Sequence, residues 1–196
     1  MDRIFRAVLI VVSCLNFLGT WNAASAQTVS TVSLPIQNIP QETQVWCWAA
    51  VAQQIVYSLH GPGNTPPQCE MVALANNAPP NTCCDQFGRY NGNPACMRTG
   101  SLQQIQWLIG YFGGRYSSLA PPAHPDILFD TLQRGRAIIL SIQSSPYTTG
   151  HVVVLRGMSI ANGVPVLHIN DPLAYFTQPM PFDRLLDYWS SAIVVR

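Results

Sequence analysis

The chain has 196 residues, enough for one domain with a full core. Its hydrophobic fraction of 48% is that of a globular protein, and a formal net charge of +1 offers no basic field for nucleic acid. Every basic residue is an arginine, so Schiff-base chemistry at a lysine side chain and the phosphate-binding lysine of a P-loop are both excluded.

The first residues read as a targeting segment. Arg3 and Arg6 precede an apolar run from Ala7 to Trp21 that is too short and interrupted for a membrane span, and Ala24-Ser25-Ala26 fits a small-residue cleavage site. This predicts a signal peptide over 1–26 and one domain over 27–196, exported to the periplasm or secreted, with no stable membrane anchor after cleavage. A competing lipoprotein box at Val11–Cys14 would leave an apolar stretch just past the cut.

Residues 27–40 are rich in Val, Thr and Ser and predict an extended segment ending in a proline-led turn. The next stretch, Gln41 to Leu59, predicts a helix over Val45–Leu59. Ala50, Val51, Ile55 and Leu59 recur at helical spacing, Gln53 and Gln54 face elsewhere, and Thr43 is the expected N-cap. Cys47 falls in the first turn, where unpaired backbone N–H groups and the helix dipole favour a thiolate. Gly61–Gly100 is dense in Gly, Pro and Asn, with a short helix expected over Gln68–Asn76. So long an irregular region needs cross-links to be ordered.

The cysteine count supplies them. With Cys14 removed, Cys47, Cys69, Cys83, Cys84 and Cys96 remain, and an odd number in an oxidising compartment points to one free thiol. Cys47 stands apart from the other four. A bridge between adjacent Cys83 and Cys84 is sterically poor, which leaves Cys69–Cys83 with Cys84–Cys96, or Cys69–Cys84 with Cys83–Cys96. No CxxC or HxxxH spacing supports a metal site, and no cofactor is expected.

A capping box at Ser101 and Gln104 opens a second amphipathic helix over Ser101–Phe112, and Pro125 opens a third over His124–Gln133. Short β-branched runs then follow at Ala137–Gln143, His151–Gly157, Val164–Asn170 and Ala192–Arg196, with a brief helix over Leu185–Tyr188. Helices first and strands after predict an α+β domain with an antiparallel sheet packed on the helices. If the second and third of these strands form a hairpin, the end of the latter returns to the start of the former. Asn170 or Asp171 then lies beside His151, and a cysteine, a histidine and a base-orienting polar group make the pattern of an activated nucleophile.

Three stretches carry a resemblance: Gln41-Glu-Thr-Gln-Val-Trp-Cys47-Trp-Ala-Ala50, Gly150-His151-Val-Val-Val-Leu-Arg-Gly157, and Ile169-Asn-Asp171-Pro172. In this order they resemble a papain-like cysteine peptidase of the short bacterial type with a WCWAA nucleophile helix. The resemblance implies a helical lobe carrying the nucleophile helix, packed on a C-terminal β-sheet lobe. It implies Cys47 as nucleophile, His151 as general base, and Asp171 in preference to Asn170 as orienting group. Gln41, six residues before the cysteine, is the implied oxyanion donor, with Gln44 as second choice. The implied substrate is a peptide or protein, and the implied state a monomer. Trp48 beside the cysteine and the Cys83 region depart from the plain pattern. Two alternatives remain. One is a cell-wall amidase or endopeptidase of the Cys-His-His type using His168, although the Asp-Cys-Ser-Gly pattern of such enzymes is missing. The other is a non-catalytic exported binding module on the same scaffold.

Overall fold

The computed structural model describes residues 29–142, 150–176 and 178–196. The expected signal segment and Gln143, the last residue of one expected strand, lie outside them. The elements in chain order are β1 (Ser30–Ser33), α1 (Cys47–His60), α2 (Gln68–Ala75), α3 (Leu102–Tyr111), α4 (Pro125–Gln133), β2 (Ile138–Ile142), β3 (His151–Ala161), β4 (Val164–Asn170), β5 (Met180–Pro181), α5 (Phe182–Leu186) and β6 (Trp189–Val194).

The fold is α+β, and its pairings are all antiparallel. The sheet order is β5-β4-β3-β2-β6, with β1 joined to the far half of β3. The eleven-residue β3 is the spine: β4 lies along one edge, and β2 followed by β1 along the other. The segment before Pro40, expected to be merely extended, thus contributes a strand. Gly157 permits this. A Cβ there would stand 2.6 Å from the Val32 carbonyl oxygen, so only glycine lets β1 approach.

Both faces of the sheet are buried, which explains why its strands read as unbroken apolar runs. Ile139, Val152, Val154 and Ile193 pack against α1 and α3. Ile138, Leu140, Val153 and Leu155 face a second core completed by Leu128 and Leu132 of α4 and Phe182 and Leu185 of α5. The helices therefore divide between the two faces, with α4 opposite α1–α3.

Helix α1 is buried almost all round, from Trp48 to Val56, with the small residues Ala49, Ala50 and Ala52 allowing close approach. Two side-chain expectations are corrected here. Gln54 does not face outward; it is fully buried and its Nε2 donates to Asn38 Oδ1 and the Ile39 carbonyl, both at 3.1 Å. Leu59, expected on the core face, is exposed because the helix ends there against solvent.

The region 61–100 is irregular apart from α2 and three short 3₁₀ turns. Its disulfides are Cys69–Cys84 and Cys83–Cys96, one of the two pairings left open above. Two indoles tie it to the start of α1. Trp46 Nε1 donates to the Cys96 carbonyl at 2.9 Å, and Trp48 Nε1 to the Arg98 carbonyl at 3.3 Å. Gly100 lies so close over Trp48 that a Cβ would stand 2.1 Å from the ring.

Candidate active site

Cys47 is the first residue of α1, half-buried and the free cysteine among the described residues. The residue before it, Trp46, makes no side-chain cap. Thr43, expected to cap the helix, instead offers its carbonyl to the Trp46 N–H at 3.3 Å, and its buried hydroxyl has no partner. The first-turn N–H groups thus lack a side-chain acceptor and surround the sulfur with partial positive charge.

His151 opens β3 and is buried. Its Nε2 meets Asp171 Oδ1 at 2.6 Å. Strand parity decides which acid-end residue can do this. Asp171 continues the face of Leu167 and Ile169, and Leu155, on the face of His151, pairs with Ile169. Asn170 faces the other way, where its Oδ1 accepts from Arg156 Nε at 2.9 Å and its Nδ2 donates to the Ile36 carbonyl at 2.9 Å.

Asp171 is held from several directions. Backbone N–H groups of Leu173, Tyr175 and Phe176 donate to its carboxylate at 2.9, 2.8 and 3.0 Å. Burial, the largest influence, raises its pKa, but His151 and these N–H groups together hold it below 3.8. It is therefore ionised, so Nε2 of His151 carries a proton and donates it. For His151 too, burial is the largest influence and lowers the pKa. Hydrogen bonding and charge from Asp171 and Cys47 outweigh it and push the imidazole from 6.5 to about 9. With Nε2 on Asp171, Nδ1 is the nitrogen left for Cys47. It is buried and falls short of hydrogen-bond geometry.

Cys47 and His151 line one cleft of about 390 Å³, walled by Trp48, Gly100, Leu102 and Val152. Trp48, packed under Gly100 and bonded to the Arg98 carbonyl, thus holds the end of the disulfide-stapled region against the cleft as a wall. Gln44 lines this cleft. Gln41 does not: its Nε2 donates to the Thr43 carbonyl at 2.6 Å, and it lines an adjoining groove with Gln44 and Leu173. Its backbone N–H donates to the Pro172 carbonyl at 3.2 Å, pinning it to the turn that holds Asp171. His168 is away from the cleft; Ser159 Oγ is its partner at 3.1 Å, and burial, aided by Arg156, holds its pKa below 6.5.

Sequence reasoning missed a further link. Asn38 Nδ2 donates to the Asp171 carbonyl at 3.1 Å while its Oδ1 accepts from Gln54. An amide pair, Gln54 buried and Asn38 at the surface, thus joins the middle of α1 to the residue that holds His151. The only signal in the sequence was a second glutamine in an otherwise apolar helix. No group of three or more His, Cys, Asp or Glu side chains among the described residues is arranged to hold a metal.

Comparison with known proteins fits this arrangement. The model of the Peptidase_C39 like family matches residues 33–192, from the end of β1 to β6. The chain belongs to the Peptidase_C39 like family. Among solved structures, the digestive procathepsin L 3 of the Tenebrio molitor larval midgut superposes on this Peptidase_C39-like chain with a TM-score of 0.53 and 9% identity, covering 83% of this chain and 68% of that one. That likeness shows the fold, which is papain-like. A structure concerning the mite allergens Blo t 1 and Der p 1 follows at a TM-score of 0.49 and 14% identity, covering 91% of this chain and 73% of that one. Procathepsin L2 of the same Tenebrio molitor tissue stands at 0.47 and 13%, covering 82% and 64%. No curated protein matches the sequence significantly.

Proposed function

We propose that this protein is an exported cysteine peptidase that hydrolyses peptide bonds through Cys47, His151 and Asp171. One observation carries the reading: His151, bound to a buried carboxylate at 2.6 Å and with its pKa pushed up to about 9, shares a cleft with a free cysteine at a helix N-terminus. Family and fold support the cysteine-peptidase class. The two disulfides support export, with 1–26 as the signal peptide and 27–196 as the single mature domain.

The steps are those that these proposed roles require. Nδ1 of His151 takes the Cys47 proton, giving a thiolate beside an imidazolium. The sulfur attacks the substrate carbonyl carbon, and the carbonyl electrons move to oxygen. The Cys47 backbone N–H and the Gln41 carboxamide, once it turns from the Thr43 carbonyl into the cleft, hold that oxyanion. Nδ1–H then protonates the departing amine as the C–N bond breaks and a thioester forms. Water, deprotonated by His151, attacks the thioester and returns the thiolate. Asp171 holds the ring throughout.

The Cys-His-His alternative needs His168 beside His151, but His168 is engaged with Ser159 outside the cleft. Kinetics on a mixed peptide substrate test the choice. Activity is expected to vanish in Cys47→Ala, fall steeply in Asp171→Ala and persist in His168→Ala. Loss in His168→Ala with retention in Asp171→Ala would overturn it. Gln41→Ala is expected to lower kcat about 100-fold or more; an equal loss in Gln44→Ala with Gln41→Ala unaffected would transfer the oxyanion role to Gln44.

A further inference from the structure

The cleft at Cys47 does not end at Gln44. Gln44 and Leu173 also line a shallower groove of about 730 Å³ that runs over Gln41, Glu42, Tyr90 and Met97. The two form one continuous trough with Cys47 and His151 in its first limb. Their charges differ. Among the described residues, none but His151 that lines the first limb is charged, whereas Glu42 is the single charged residue lining the second.

Glu42 is held in place. Its backbone N–H donates to Gln68 Oε1 at 3.0 Å, anchoring it to α2, and its Oε2 accepts from the Tyr90 N–H at 3.0 Å. No arginine or histidine among the described residues stands within ion-pair distance of it, whereas nearby Asp85 already has Arg89 at 3.3 Å. Glu42 is itself exposed, so the limb presents one fixed carboxylate to solvent. A substrate cation would supply the counter-charge that it lacks.

We infer that the second limb is a binding site for a basic side chain of the substrate, with Glu42 as its specificity-determining residue. This rests on the peptidase reading above. The substrate class it names is a peptide that is uncharged where it lies in the first limb and carries an arginine or lysine in the second. An exposed ion pair contributes modestly, so the preference is expected to be about two- to fivefold in kcat/KM at low salt, and smaller at high salt.

The test uses one cleavable peptide with Arg, Gln or Glu placed in turn at each position flanking the scissile bond. The wild type is expected to rank Arg above Gln above Glu at positions on one side. Glu42→Gln is expected to flatten that ranking and Glu42→Arg to reverse it. The same peptides titrated against Cys47→Ala, which cannot turn over, are expected to bind in the same order. A ranking that is absent in the wild type, or that survives Glu42→Gln, overturns the inference while leaving the peptidase reading intact. Charge-ranked binding to Cys47→Ala without turnover by the wild type would sink the peptidase reading and keep the basic site.

Discussion

At His151 the contest between burial and partners is settled by Asp171 and Cys47, and its sign has consequences. The raised imidazole pKa adds stability that is fully present below 6.5 and lost as pH rises through about 9. The depressed Asp171 pKa adds stability that is present above 3.8 and lost as pH falls below it. The pair therefore stabilises the fold most between pH 3.8 and 6.5. Urea-unfolding midpoints followed across pH are expected to decline on both sides of that window. In Asp171→Ala the alkaline decline should flatten, and the His151 resonance followed by NMR should titrate well below about 9. The same change is expected to reduce kcat by roughly 10²- to 10⁴-fold. A His151 that titrates unchanged in Asp171→Ala would show that the carboxylate does not set its protonation.

Among the elements, α1 carries both the proposed nucleophile and, through Gln54 and Asn38, a tether to the Asp171 backbone. Gln54→Leu keeps the volume but strips donors from Asn38 Oδ1 and the Ile39 carbonyl, at an expected cost of about 0.5–1.5 kcal/mol in unfolding free energy. Because Asn38 also holds the Asp171 backbone, kcat is expected to fall with KM little changed. Loss of stability with unaltered kcat would make the tether purely structural. Gly100→Ala probes the opposite wall: a Cβ inside the Trp48 ring must displace it, so KM is expected to rise. Much at this scale was legible in sequence. The Ser101–Gln104 capping box and Pro125 marked the starts of α3 and α4, because capping chemistry is local. What was not legible depended on distant contacts. Gln54 reads as a surface residue until Asn38 is brought to it, and β1 reads as loose chain until Gly157 admits it. Thr43 looked like a cap, but the chain turns earlier and gives that residue's carbonyl to Trp46 instead.

For the molecule as a whole, the question is how 61–100, with little helix, forms one bank of the cleft. Its disulfides close segments of 15 and 13 residues, each worth about 3 kcal/mol in the chain-entropy account. Replacing Cys83 and Cys96 together by alanine is expected to lower the unfolding midpoint and raise KM more than it lowers kcat, since the wall loosens while Cys47, His151 and Asp171 keep their own supports. An unchanged KM would separate the loop from substrate binding. The order of cysteine, histidine and acid made the site itself readable along the chain. The second limb of the trough was not readable, because Glu42, Tyr90 and Met97 meet only when the stapled loop folds back on the start of α1. Mass mapping after treatment with an irreversible peptidyl epoxide tests most directly whether Cys47 is a nucleophile activated by His151. One adduct per molecule is expected, on Cys47, formed rapidly in the wild type and lost in His151→Ala. A folded wild type whose Cys47 stays unmodified, or is found in a disulfide, would contradict that role.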